Sequence, residues 1–193
     1  MDRSVLNWII ENRISWLTTV FRAITNVGGL VGLIIATVIV TAALLLARRH
    51  RSAILVGGSM LSGWAVMNLL KVVFGRTRPP LPDRLVLESS ASFPSGHAML
   101  SAMFATACAA VLIRTMRSGT ARTAGIAALA GFALVDGASR VYLGAHWLTD
   151  VLAGWLLGVI WAAAWIAMTR VQRPPTRRWT SEAFDCITGR MSS

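Results

Sequence analysis

The chain has 193 residues, about the size of one domain, with 55% hydrophobic and only 14% charged side chains and a mean hydropathy of +0.61. That balance excludes an ordinary soluble domain and indicates a membrane protein. The formal net charge of +11 sits largely in short arginine clusters between apolar runs, which is the pattern of membrane topology, so no nucleic-acid partner is expected.

In residues 1–26, Leu6, Ile10, Ile14, Leu17, Phe21 and Ile24 recur at steps of three or four, with Ser4, Asn7, Glu11, Ser15, Thr18 and Arg22 opposite them. This predicts an amphipathic helix. Glu11 and Arg13 near its middle would be costly in hydrocarbon, so the helix is expected to lie in the outer membrane interface with Trp8 and Trp16 at headgroup depth, the competing reading being a sixth, imperfect span. The same polar residues interrupt what would have to be the apolar core of a cleavable signal.

Five apolar runs follow, at 27–47, 53–74, 98–113, 123–138 and 147–168. The first is uncharged and long enough to cross a hydrocarbon core of about 30 Å. The third is short for a crossing, and Asp136 interrupts the fourth. Between the second and third runs, "RTRPPLP" at 76–82 cannot continue a helix and is expected to be loop. The arginine clusters at 48–51, 114–122 and 170–178 all fall on one side if the five runs alternate, which assigns that side to the cytoplasm. The loops at 75–93 and 139–146 then lie together on the outer side.

The predicted organisation is an all-α, multi-pass membrane helix bundle. It comprises an N-terminal amphipathic helix at 1–26, a transmembrane domain at 27–169 and a basic cytoplasmic tail at 170–193. Cys108 lies in an apolar run and Cys186 in the tail, so the two are not expected to pair.

The two outer loops and their flanks hold nearly all the unusual polar residues. "KVVFGRTRP" puts Lys71 on the last turn of a helix and Arg78 just beyond it, so that both cations can converge on one anion. "FPSGHA" reads as a helix start, with Ser95 as N-cap, Gly96 permitting close backbone approach, unpaired N–H groups in the first turn, and His97 beside them. In "SRVYLGAHWLTD", a helix beginning near His146 puts His146 and Asp150 on one face. There the carboxylate would fix the imidazole tautomer and leave the other ring nitrogen as an oriented nucleophile or base. Arg140 adds a cation.

Singly, each of these residues has a bland explanation, such as a snorkelling lysine or an ordinary loop charge. Together they describe a pocket for a dianionic phosphate with a nucleophile aimed at it. A metal centre is not expected, because the chain has eight carboxylates and no pair of them stands at ligand spacing near the histidines.

These three segments resemble the ordered signature motifs of the type 2 phosphatidic acid phosphatase (PAP2) superfamily, K-x6-R-P, P-S-G-H and S-R-x5-H-x3-D, with every invariant position filled. The resemblance implies a metal-independent phosphohydrolase that needs no cofactor. His146 would attack phosphorus to form a phosphohistidine, with Asp150 orienting it. His97 would protonate the leaving oxygen, and Lys71, Arg78, Ser95, Gly96 and Arg140 would hold the phosphoryl oxygens. Arg76, Arg84 and Asp136 fall outside the motifs and stay unassigned.

The superfamily also includes soluble acid phosphatases and vanadium haloperoxidases. The apolar runs place this chain with its lipid phosphatases, acting at the outer face of the cell membrane. The implied substrate is a polyprenyl diphosphate such as undecaprenyl diphosphate, or a phosphatidate-type monoester, drawn from the surrounding membrane lipid. Two alternatives stay open at this point: a non-catalytic phosphate-lipid binding or transport protein, and a phosphotransferase using the same site.

Overall fold

In hydrocarbon a backbone must satisfy its own hydrogen bonds, so long apolar runs without proline fold as helices. The computed structural model describes residues 1–170. Among them are α1 (Asp2–Glu11), α2 (Ser15–Val27), α3 (Leu30–Leu46), α4 (His50–Phe74), a 3₁₀ turn (Leu81–Asp83), α5 (Gly96–Thr115), α6 (Thr120–Tyr142) and α7 (Leu148–Arg170). The expected basic tail and its Cys186 lie outside the described residues.

Helices α4 to α7, of 25, 20, 23 and 23 residues, are each long and apolar enough to cross a membrane. Helix α3 has only 17 residues, about 25 Å at 1.5 Å per residue. It forms a pair with α2 that bends by 49°, and five spans are reached when that pair counts as one. The run at 27–47, expected to be one span, therefore starts at the bend itself, where Gly28 and Gly29 separate α2 from α3.

Two other boundaries move. Helix α5 extends beyond the apolar run at both ends and takes in His97 and Arg114. Helix α6 continues to Tyr142, so Ser139 and Arg140, expected in an outer loop, stand on its last turns. Burial of Arg140 is tolerated because Thr25 and Glu88 accept hydrogen bonds from its guanidinium.

The expected single amphipathic helix is two helices, separated by a break at 12–14. Val5 and Ile9 of α1 pack against Ala98, Val141 and Val151. Leu6 is fully buried, while Trp8 and Trp16 are exposed. At the break, Arg13 donates to the carbonyls of Asp83 at 2.7 Å and Tyr142 at 3.1 Å. These bonds stitch the N-terminal helices to the end of the bundle that carries the motifs.

Helix α5 is the central element. Met99, Met103 and Ala107 of α5 meet Leu55 and Val56 of α4 and Ala162 of α7. Gly154 and Gly158 face α5 at small-xxx-small spacing, which lets two backbones approach closely. A methyl group at Gly158 would overlap the Met99 carbonyl. Gly158→Ala is expected to cost about 1–3 kcal/mol through that overlap, read as a lowered thermal midpoint in detergent; an unchanged midpoint would refute the packing.

Val31, Ile35 and Val38 of α3, Leu61 and Val72 of α4, and Ile160 of α7 are exposed on the bundle's flank, an apolar belt that suits lipid. At the end of the bundle away from the motifs, Arg48, Arg49, Arg51, Arg114 and Arg170 surround a basic recess.

Candidate active site

The turn between α6 and α7 accounts for the five residues that separate Arg140 from His146. Gly144 has φ +68°, a left-handed conformation that glycine adopts without a steric penalty. Its N–H bonds the Val141 carbonyl at 3.0 Å, and the Ala145 N–H bonds the Arg140 carbonyl at 2.9 Å. This is a Schellman end to α6, and it folds His146 back over the arginine.

His146 itself precedes α7 instead of starting it. Asp150, in the first turn of α7, accepts the Trp147 N–H at 3.0 Å in the manner of a capping carboxylate. One oxygen of Asp150 stands 3.6 Å from His146 Nδ1. On the other side of the ring, Arg78 Nη1 lies 3.1 Å from Nε2. Arginine only donates, so Nε2 presents its lone pair and the ring hydrogen sits on Nδ1, toward Asp150. Burial pushes the His146 imidazole down to about 4; Asp150 opposes this shift, and Arg78, Arg140 and Lys71 reinforce it. At neutral pH the ring is therefore uncharged.

Arg78 is fixed by Ser90, whose carbonyl accepts from Nε at 2.7 Å, and by the Ala145 carbonyl at 2.8 Å. Lys71 Nζ donates to the Ala91 carbonyl at 2.7 Å. Ser95 is the N-cap residue of α5, as the sequence predicts. Its hydroxyl makes no cap bond and is buried without a partner among the described residues, above a helix end that has N–H groups to offer.

Lys71, Arg78, Gly96, His97 and His146 line one cavity of about 260 Å³, together with Glu88. Ser95, Arg140 and Asp150 are almost completely buried behind it. The structure thus brings all eight predicted residues to one end of the bundle, five of them on the cavity wall.

Several neighbours were not singled out by the motifs. Asp150 also accepts hydrogen bonds from Arg76 Nη1 and Ser92 Oγ, both at 2.5 Å. Arg76 in turn reaches Asp2 at 2.8 Å, and Asp2 accepts the Thr149 hydroxyl at 2.6 Å. The second residue of the chain therefore anchors the group next to the histidine. Glu88 pairs with Arg140 and lies 3.9 Å from Arg78, so a carboxylate occupies the arginines that are suited to phosphate. Asp136 is buried one turn before Arg140, against Gly28, and its carboxylate has no hydrogen-bond partner among the described residues. Arg76 was at least visible as a second arginine in the loop. Asp2 and Glu88 have no local pattern that marks them.

Among the described residues no group of three or more His, Cys, Asp or Glu could hold a metal ion. The PAP2 superfamily model matches residues 52–174. The chain belongs to the PAP2 superfamily.

Its similarity to known PAP2 proteins extends over most of its length. It is 32% identical over 160 residues to phosphatidylglycerophosphatase B of Bacillus subtilis (strain 168), covering 82% of this chain and 78% of that protein. An 81-residue stretch is 37% identical to an undecaprenyl-diphosphatase of Sulfolobus acidocaldarius, covering 42% of this chain and 32% of that protein. The crystal structure of a transmembrane PAP2 type phosphatidylglycerolphosphate phosphatase from Bacillus subtilis superimposes with a TM-score of 0.82 at 29% identity, over 89% of this chain and 86% of that one. The crystal structure of Aquifex aeolicus LpxE shares the fold, with a TM-score of 0.64 at 20% identity, over 86% of this chain and 94% of that one. The chain is a multi-pass membrane phosphatase of the PAP2 superfamily.

Proposed function

We propose that this PAP2 phosphatase hydrolyses a lipid phosphate or diphosphate at the outer membrane face, without a metal, through a phosphohistidine at His146. The observation that carries the reading is the junction of two cavities. The polar cavity around His146 shares Leu30, Leu33, Trp64 and Leu100 with an apolar groove of about 380 Å³ between α3 and α4. A phosphate headgroup suits the first and a hydrocarbon tail the second, so the ligand is an amphiphile that enters sideways from the bilayer.

In the first step, Nε2 of His146 attacks phosphorus, an N–P bond forms and the bond to the leaving oxygen breaks. His97, entering as the imidazolium with its Nε2 hydrogen on the Thr25 carbonyl, supplies the proton of its other ring nitrogen to that oxygen and then takes one from the water that cleaves the N–P bond and releases phosphate. Lys71 and Arg78 neutralise the equatorial oxygens. The Ser95 hydroxyl and the N–H groups at the start of α5 add donors that need no reorganisation during the reaction. Arg140 joins them when a phosphoryl group replaces Glu88 as its anionic partner. The arginine-rich end, opposite the site, reads as cytoplasmic by the positive-inside rule, which supports an extracytoplasmic site. There α1 lies in the interface and α2 leads into the bent first span.

The named relatives act on phosphatidylglycerophosphate and undecaprenyl diphosphate, and these two head the substrate list. Purified protein in detergent with EDTA is expected to release inorganic phosphate from at least one of these two or from phosphatidate, with the preference read as kcat/KM. Failure to release phosphate from any of the three, or release that EDTA abolishes, would overturn the proposal.

A further inference from the structure

The three motifs leave Arg140 without an explanation for its aim. It is 2% exposed, on the last turns of α6, and two of its guanidinium nitrogens are held. Nη2 donates to Glu88, and Nη1 donates to the hydroxyl of Thr25 at 2.6 Å. Thr25 lies near the C-terminus of α2, outside residues 52–174, and is itself only 4% exposed. Its backbone carbonyl lies 3.2 Å from His97 Nε2. A carbonyl only accepts, so Nε2 carries the hydrogen and the tautomer of His97 is set by the same residue.

The elbow between α2 and α3 makes both contacts available. Thr25 is in the last turn of α2, where carbonyls have lost their intrahelical partners, and the chain bends by 49° just beyond it. The bend is pressed onto α6, where Gly28 lies against the Asp136 carboxylate with no room for a side chain.

We propose that Thr25 is a positioning residue of the active site, aiming Arg140 through its hydroxyl and His97 through its carbonyl. This rests on the assignment of these two groups to phosphate binding and proton transfer. The two partners of Arg140 differ in charge, and the difference matters. Glu88 is an anion that a phosphoryl group must displace, since both need the same donor. Thr25 is neutral, so it keeps the fork aimed after that exchange without cancelling the charge the substrate needs.

The test uses the full-length protein in detergent and compares Thr25→Val, Thr25→Ala and Thr25→Ser. Inorganic phosphate binding is measured by calorimetry, and KM and kcat are measured on a lipid phosphate. Loss of a hydrogen bond to a buried charged group predicts phosphate binding and KM weakened about tenfold or more in Thr25→Val and Thr25→Ala, with kcat less affected. Thr25→Ser should recover most of that loss.

If Thr25→Val does not fold, the Ala and Ser pair, which differs by one hydroxyl, gives the same comparison. Equal phosphate affinity in Ala and Ser variants would overturn the positioning role. Because binding of inorganic phosphate needs no turnover, that result is distinct from failure of the hydrolase reading, which would show instead as no release of phosphate by the unaltered protein from any of the three lipids.

Discussion

Replacing His146 with alanine is expected to lower turnover of a lipid phosphate about a thousandfold or more, because it removes the group assigned to form the covalent intermediate. Its Nε2 faces Arg78 at 3.1 Å and its ring is buried in the wall of the cavity that also holds His97 and Lys71. The same geometry makes a pH prediction. The nucleophile is the neutral ring, and its ordinary value of 6.5 is lowered to about 4. Activity from this group is therefore present above about 4 and lost as pH falls through it. The acid limb of kcat/KM, corrected for ionisation of the substrate phosphate, is expected well below 6.5. A limb at or above 6.5 would reject the lowered imidazole value, and near-normal turnover in His146→Ala with a steady-state assay would reject the nucleophile assignment.

The second large effect is expected at Asp150. Its oxygens face Arg76, the Ser92 hydroxyl and the Trp147 N–H, and its remaining neighbour is the Nδ1 side of His146. Every one of these groups donates. In Asp150→Asn the new amide N–H₂ must point at a donor whichever way it turns, and the charge opposite Arg76 and the developing imidazolium disappears. Turnover is expected to fall on the order of a hundredfold or more, the range of a misdirected acid–base group. The variant should still bind inorganic phosphate, since none of the cavity-lining cations is removed. Turnover within a few-fold of the unaltered protein would show that Asp150 only caps α7.

The motif residues were legible in the sequence because their chemistry is local. The four-residue spacing of His146 and Asp150 brings the pair together across the start of one helix, although His146 stands just before α7. Proline and serine before an apolar run mark the start of α5 at Gly96. Hydropathy likewise identified the spans, since hydrocarbon demands long apolar helices. Hydropathy could not find the true ends of α5 and α6. His97, Arg114 and Arg140 are polar side chains that continue a helix because tertiary partners accept them, and a scale that scores residues singly stops too early.

The N-terminal segment was legible least. Its period announced an amphipathic helix, but amphipathicity does not say whether the apolar face meets lipid or protein. Val5 and Ile9 meet protein, and the polar residues Asp2, Arg13 and Thr25 form hydrogen bonds to partners 70 to 147 positions away in sequence.

By itself, then, the sequence pointed to the class of molecule through hydropathy, to the end of the bundle where the unusual polar residues gather, and, through three motifs that resemble those of the family, to the eight residues expected to act there. Only the tertiary structure decided how those residues are aimed. The Schellman turn over Arg140, the chain from Asp2 through Arg76 to Asp150, the Glu88 carboxylate on the arginines and the Thr25 elbow each join groups from distant parts of the chain. Hydrogen bonds are directional at about 3 Å, and no pattern of neighbours along one chain reports which distant donor and acceptor the packing will bring within that distance.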